Sequence, residues 1–137
     1  MILAFQQIFP PAFCLVFSKQ EKKILVQNSW NPQKTRDLLS KLAASLKKGK
    51  IKPSQLKGIF FINGPGNFTP VRISCVIANT LAKNLFIPIF SLSSDDLKKF
   101  STKEKTNPEF LVKMFFNKKV VKNNFTEAIF GNEKIIN

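Results

Sequence analysis

Three short apolar runs open the chain: ILAF from residue 2, AFCLVFS from residue 12 and KILVQNSW from residue 23. A Pro-Pro pair separates the first two, and the charged stretch KQEKK lies between the second and third. Short runs rich in aromatic and β-branched residues and bounded by turn residues predict an antiparallel meander of three strands. The period then changes. In NPQKTRDLLSKLAASLKKG, Leu38, Leu39, Leu42, Ala43 and Leu46 recur at helical spacing. Asn31 reads as the cap, Pro32 as the first helical residue, and Lys47, Lys48 and Gly49 as the end.

The stretch IFFIN, from residue 59, is continuously apolar, as suits a central strand covered on both faces. It runs into GPGNFTP, where Thr69 and Pro70 are read as capping a second helix that extends to about Asn84. IPIFSLSS is a further buried strand, and DDLKKF begins a third helix. Strands alternating with helices imply parallel strands joined by right-handed crossovers. The expected fold is α/β: a ribonuclease-H-like mixed sheet, its three-strand antiparallel meander followed by β-α crossovers. Residues 1–100 form one domain. Residues 101–137 follow as a linker, STKEKTNPE, and a short hairpin in FLVKMFFNKKVVKNNF turning at Asn117 to Lys119.

Composition adds little to this picture and charge adds a question. At 137 residues the chain can bury a core without disulfides or metals. Its formal net charge is +14, which by itself suggests nucleic acid or another anionic surface. Lys supplies nearly all of the 22 cations, however, with Arg36 and Arg72 the arginines, and Arg is the usual reader of phosphate and bases. The abundance of Lys, Asn, Ile and Phe, all with A/T-rich codons, suits a biased genome, so the charge is read first as a solvated surface. Cys14 and Cys75 sit among apolar neighbours and read as buried thiols in a reducing compartment. The apolar N-terminus lacks a basic n-region and is broken by Gln6, Gln7, Pro10 and Pro11, so neither a signal peptide nor a membrane span is expected. The expected location is the cytoplasm.

Candidate chemistry centres on residues 64–72. An apolar strand entering a glycine turn that opens a helix can present backbone N–H groups to an anion. Gly64, Pro65, Gly66, Asn67, Phe68 and Thr69, with Arg72 a turn on, form that candidate site. The competing reading is structural: the glycines permit a tight strand-to-helix turn and Phe68 packs inward. The loop lacks the Lys-Ser/Thr pair of a phosphate loop, which favours the structural reading. Enzymatic readings lack their parts. The chain has 8 acids and no histidine. The first strand ends Phe5, Gln6, Gln7, Ile8, without acid or hydroxyl, and the adjacent Asp95 and Asp96 read as first-turn helix residues rather than a metal pair. No catalytic residue, metal site or cofactor is assigned.

The stretch GPGNFTPVRISCVIANTLAKNLFIPIFSLSS resembles a signature of the TsaB (YeaZ) family, GPGSFTGLRIG followed by AKGLA and by IPL and SS positions. Gly64, Pro65, Gly66, Phe68, Thr69, Arg72 and Ile73 agree in order and spacing, as do Ala82, Ile87, Pro88, Ser93 and Ser94. The family's Asp-Thr-Ser after the first strand is replaced here by Gln6, Gln7 and Ile8, its loop serine by Asn67 and a glycine by Pro70. The resemblance covers about the first 100 residues, the family's first domain, with a remnant in place of the second. It implies an ASKHA-type fold and a non-catalytic dimerisation subunit supporting a TsaD-like enzyme in tRNA N6-threonylcarbamoyladenosine modification. It further implies a heterodimer with that enzyme, or a homodimer, contact with tRNA only through the complex, and no membrane.

Two apolar stripes run along the second helix. Ile73, Val76, Ile77 and Leu81 are expected to lie on the sheet. Val71, Ser74, Cys75, Ala78 and Ala82 form a stripe of small residues. That stripe can pack against the first helix of the same chain or admit a partner's helix, and the partner surface expected from the second reading comprises Val71, Cys75, Ala78 and Ala82 with Leu39, Ala43 and Leu46 of the first helix. The alternatives are a basic RNA-binding protein and an anion- or nucleotide-binding module.

Overall fold

The computed structural model describes residues 1–31, 37–64 and 69–116, and the backbone of three short strands beyond them. Strands β1 (Ile2–Gln6), β2 (Ala12–Ser18) and β3 (Lys23–Trp30) form the expected meander. Helix α1 (Leu38–Lys48), β4 (Gly58–Asn63), α2 (Thr69–Leu85) and β5 (Ile89–Ser93) follow in alternation. Strands β1 and β4, and β4 and β5, pair in parallel, while β1–β2 and β2–β3 are antiparallel. The sheet order is β3-β2-β1-β4-β5-β6, where β6 (Val121–Asn123) adds antiparallel to β5. Strands β7 (Ala128–Phe130) and β8 (Glu133–Ile135) pair separately.

Alternation along the strands sends side chains to two cores. Leu3, Phe5, Cys14, Val16, Ile59 and Phe61 face α1 and α2. Ile2, Ala4, Leu15, Phe17, Phe60 and Ile62 face the opposite side. Each strand of the central trio is therefore apolar on both faces, which is why IFFIN and AFCLVF read as continuous runs.

Three sequence expectations change. Helix α1 begins at Leu38, capped by Asp37, whose carboxylate accepts the Ser40 N–H at 3.0 Å; Asn31 is not its cap, and residues 32–36 lie outside the described residues. An aspartate side chain satisfies orphan first-turn N–H groups as well as an asparagine does, so the earlier Asn-Pro pair was not decisive. DDLKKF is a short 3-10 turn over Ser94–Leu97 rather than the start of a long helix. The expected linker and hairpin are instead α3 (Thr102–Lys105) and α4 (Pro108–Phe115), while Asn117 to Lys119 lie outside the described residues. Asn107 caps α4 by accepting the Glu109 N–H, and Leu111, Val112, Met114 and Phe115 bury against the sheet face opposite α1 and α2.

Candidate functional site

In a sheet of this topology a ligand site forms beyond the carboxyl ends of the parallel strands. Here those ends are braced. Gln6 closes β1 completely buried: its amide Nε2 donates to the carbonyls of Phe9 at 2.7 Å and Pro11 at 3.0 Å. Its amide oxygen, Oε1, accepts the N–H groups of Ile8 at 2.9 Å and Phe9 at 2.8 Å. One side chain thus knits the β1–β2 turn. Gln7, also buried, donates to the Ser74 hydroxyl of α2 at 3.2 Å.

The end of β4 is held in the same way. Asn63 Oδ1 accepts the Cys75 thiol at 3.2 Å. Burial pushes that thiol up to about 12, so it stays protonated and is a poor nucleophile. The Gly64 carbonyl accepts the Ser94 N–H at 3.0 Å and the Ser93 hydroxyl at 3.2 Å, and Ser93 also accepts the Asp95 N–H. The motif serines therefore tie the glycine loop to the end of β5 and cap the turn after it. Pro65, Gly66, Asn67 and Phe68 lie outside the described residues, Thr69 opens α2, and Arg72 is exposed one turn on. Asp95 pairs with Lys98 at 3.0 Å on the surface. Among the described residues no group of three metal-ligating side chains comes together.

The second candidate surface is the outer side of the helix pair, and here the sequence expectation is reversed. Val71, Cys75, Ala78 and Ala82, expected at the partner surface, are at most 2% exposed and lie on the sheet. Val76, expected on the sheet, is 55% exposed, and Ile73, Ile77 and Leu81 are only partly buried. The cause lies in the sheet. Phe5 and Phe61 stack on that face with centroids 5.7 Å apart, and a helix packs closely over such rings by presenting small side chains. On α1, Leu39 is 52% exposed, Ala43 is exposed and Leu46 half-buried, while Leu38 and Leu42 face the core. The described outer side of α1 and α2 thus carries Leu39, Ala43 and Val76 as exposed residues that the core does not use, with Ile73 half-buried beside them. The bulky phenylalanines of the strands were the sequence signal that could have indicated this facing, and the expectation did not use it.

The topology, braced strand ends and helix pair define an α/β protein of the ribonuclease-H-like, ASKHA-type class. The comparisons agree. A family model described as "TsaD: tRNA N6-adenosine threonylcarbamoyltransferase" matches residues 32–112, more than half of the chain, and the chain belongs to that family, within its TsaB/YeaZ group. The tRNA threonylcarbamoyladenosine biosynthesis protein TsaB of Buchnera aphidicola subsp. Schizaphis graminum is 38% identical over 76 residues, covering 54% of this chain and 36% of that protein. The TsaB of Buchnera aphidicola subsp. Acyrthosiphon pisum is 38% identical over 60 residues, 44% of this chain and 27% of that one. The chain therefore matches about a third of the length of these relatives. The structure of YeaZ from Pseudomonas aeruginosa superposes with a TM-score of 0.56 at 24% identity, over 67% of this chain and 43% of that one. That likeness speaks to the fold.

Proposed function

We propose that this protein is a non-catalytic subunit for tRNA N6-threonylcarbamoyladenosine biosynthesis that docks on a TsaD-like catalytic subunit through the outer side of α1 and α2. The observation that carries the reading is the exposure of Leu39 and Val76, at 52% and 55%, on helices whose inner faces are already committed to the core. The family relation supports the pathway, and the braced strand ends support a scaffold: Gln6 and Gln7 spend their amides on the fold where the family's phosphate-loop relic would stand.

The test uses the full chain expressed with the TsaD-like protein of the same cell. Val76→Arg and Leu39→Arg add charge to exposed positions, so each variant keeps its circular dichroism and melting temperature. Burying an unpaired guanidinium at the joint costs several kcal/mol, so co-elution is lost. Undisturbed co-elution of both folded variants places the interface on another face. If the unsubstituted chain fails to co-elute, the partnership itself is refuted.

A further inference from the structure

On the opposite side of the sheet from α1 and α2, an open groove of about 630 Å³ runs between α4 and the β2–β3 edge. Helix α4 contributes Glu109, Val112 and Lys113, and its C-cap residue Phe116 continues the same face. The facing wall is Lys22, Lys23 and Ile24. Phe116 is 37% exposed, yet its ring is fixed from behind by Phe17 at 5.9 Å and Phe115 at 5.3 Å. The Lys22 ammonium lies over its face, 5.0 Å from the centroid, so a base stacking there takes the place of the ammonium, which is then released to a phosphate. Outside the groove, Lys105 of α3 lies over the Phe9 ring at 4.7 Å, and Phe9 packs against the same sheet-face core as α4.

We propose that this groove binds a short single-stranded stretch of RNA, with a base stacked on Phe116 and phosphates on Lys22, Lys23 and Lys113. A rigid ring face accepts any base, and ammonium groups on both walls attract the backbone without reading sequence. The net charge of +14 supplies the long-range attraction, and the groove gives it a place to act. An acidic peptide is the lesser fit, because it leaves the ring without a stacking partner. Glu109 opposes any polyanion at one end of the groove and gives the test an arm of opposite sign. The site lies across the sheet from the proposed partner surface and stands or falls independently of it.

Fluorescence anisotropy of the full chain with a labelled oligouridylate of about twelve nucleotides tests the proposal, since such strands span typical site sizes. The expected dissociation constant is on the order of 10 μM at about 50 mM salt. The pair Lys22→Glu with Lys113→Glu weakens binding about tenfold or more and flattens the salt dependence, as lost phosphate contacts require. Lys47→Glu with Lys83→Glu, exposed on the opposite helix face, makes the same change in net charge and weakens binding less than about threefold. Phe116→Ala weakens binding with the salt slope retained, and Glu109→Gln strengthens it. Circular dichroism checks that each variant is folded. Absence of binding overturns the proposal, as does equal loss in the two lysine pairs. Competition by polyglutamate as strong as by unlabelled oligouridylate also overturns it, by making the groove a peptide site.

Discussion

Phe86 is the residue whose conformation fits its identity least well. It lies just past α2 with φ of 55° and is 94% exposed. The Ile87 N–H reaches back to the Ala82 carbonyl at 3.1 Å, the hydrogen bond of a helix ended by a left-handed residue. Lys50 does the same after α1, with Ile51 bonded to Leu46 at 2.9 Å. Glycine takes this conformation freely, whereas an L side chain pays about 1–2 kcal/mol. Phe86→Gly loses almost no packing, so it should raise stability by about 0.5–1 kcal/mol, after the greater freedom of glycine in the unfolded chain is deducted. Urea unfolding checks this, and a lowered midpoint would show that the ring contributes contacts. Cys75 gives a second prediction. Its folded-state pKa is raised by burial from 9.0 to about 12, so the unfolded chain loses the thiol proton first as pH rises. The stability contribution is complete below about pH 9 and is lost as pH rises toward 12. Cys75→Ala should flatten the alkaline loss of melting temperature across that window, and an unchanged alkaline limb would refute the linkage.

At the scale of elements, the strands were legible and the facing of α2 was not. AFCLVFS and KILVQNSW are β2 and β3 to the residue, because their patterns are bounded by turn residues and carry no competing helical period. Helix α2 has two apolar stripes, and hydrophobicity assigns the bulkier one to the core. Packing assigned the smaller one, since Phe5 and Phe61 already fill that space. Helix α4 was missed because Asn-Pro and a lysine-asparagine stretch frame an eight-residue segment with turn signals on both sides. Of the candidate site, the resemblance picked out Ser93 and Ser94 as positions without a role, and their tie to Gly64 emerges only in the fold, as does the closure of the β1 turn by Gln6, which depends on the approach of Pro11. The reversal on α2 has a direct consequence. Ala78→Arg forces a guanidinium into a position with 0% exposure and should cost more than about 4 kcal/mol, whereas the neighbouring Val76→Arg should cost less than about 0.5. Thermal melts of the two variants decide the facing of the helix, and similar melting temperatures would restore the original assignment.

For the whole molecule, the question is whether the C-terminal segment is an appendage or part of the folding unit. Phe115 answers it structurally. Its ring lies 5.1 Å from that of Phe17 on β2, 5.3 Å from Phe60 on β4 and 4.9 Å from Phe90 on β5. A side chain from α4 thus joins strands from the meander and from the parallel half, under a layer completed by Leu111, Val112 and Met114. Without that layer, Leu15, Phe17 and Phe60 would face water, and each large apolar side chain so exposed forfeits about 1.5–3 kcal/mol. A few such losses equal the entire stability of an ordinary domain, about 5–15 kcal/mol. The sheet therefore needs α4, and unfolding should be one event. Phe115→Ala leaves a cavity among three rings and should cost about 3–5 kcal/mol. Because the loss falls on the shared core, far-ultraviolet ellipticity and tryptophan fluorescence, which reports Trp30 on the far edge strand, should shift together to the same lower midpoint. An early transition seen by ellipticity alone, with the Trp30 transition unmoved, would mean that α4 melts off a sheet that is stable without it.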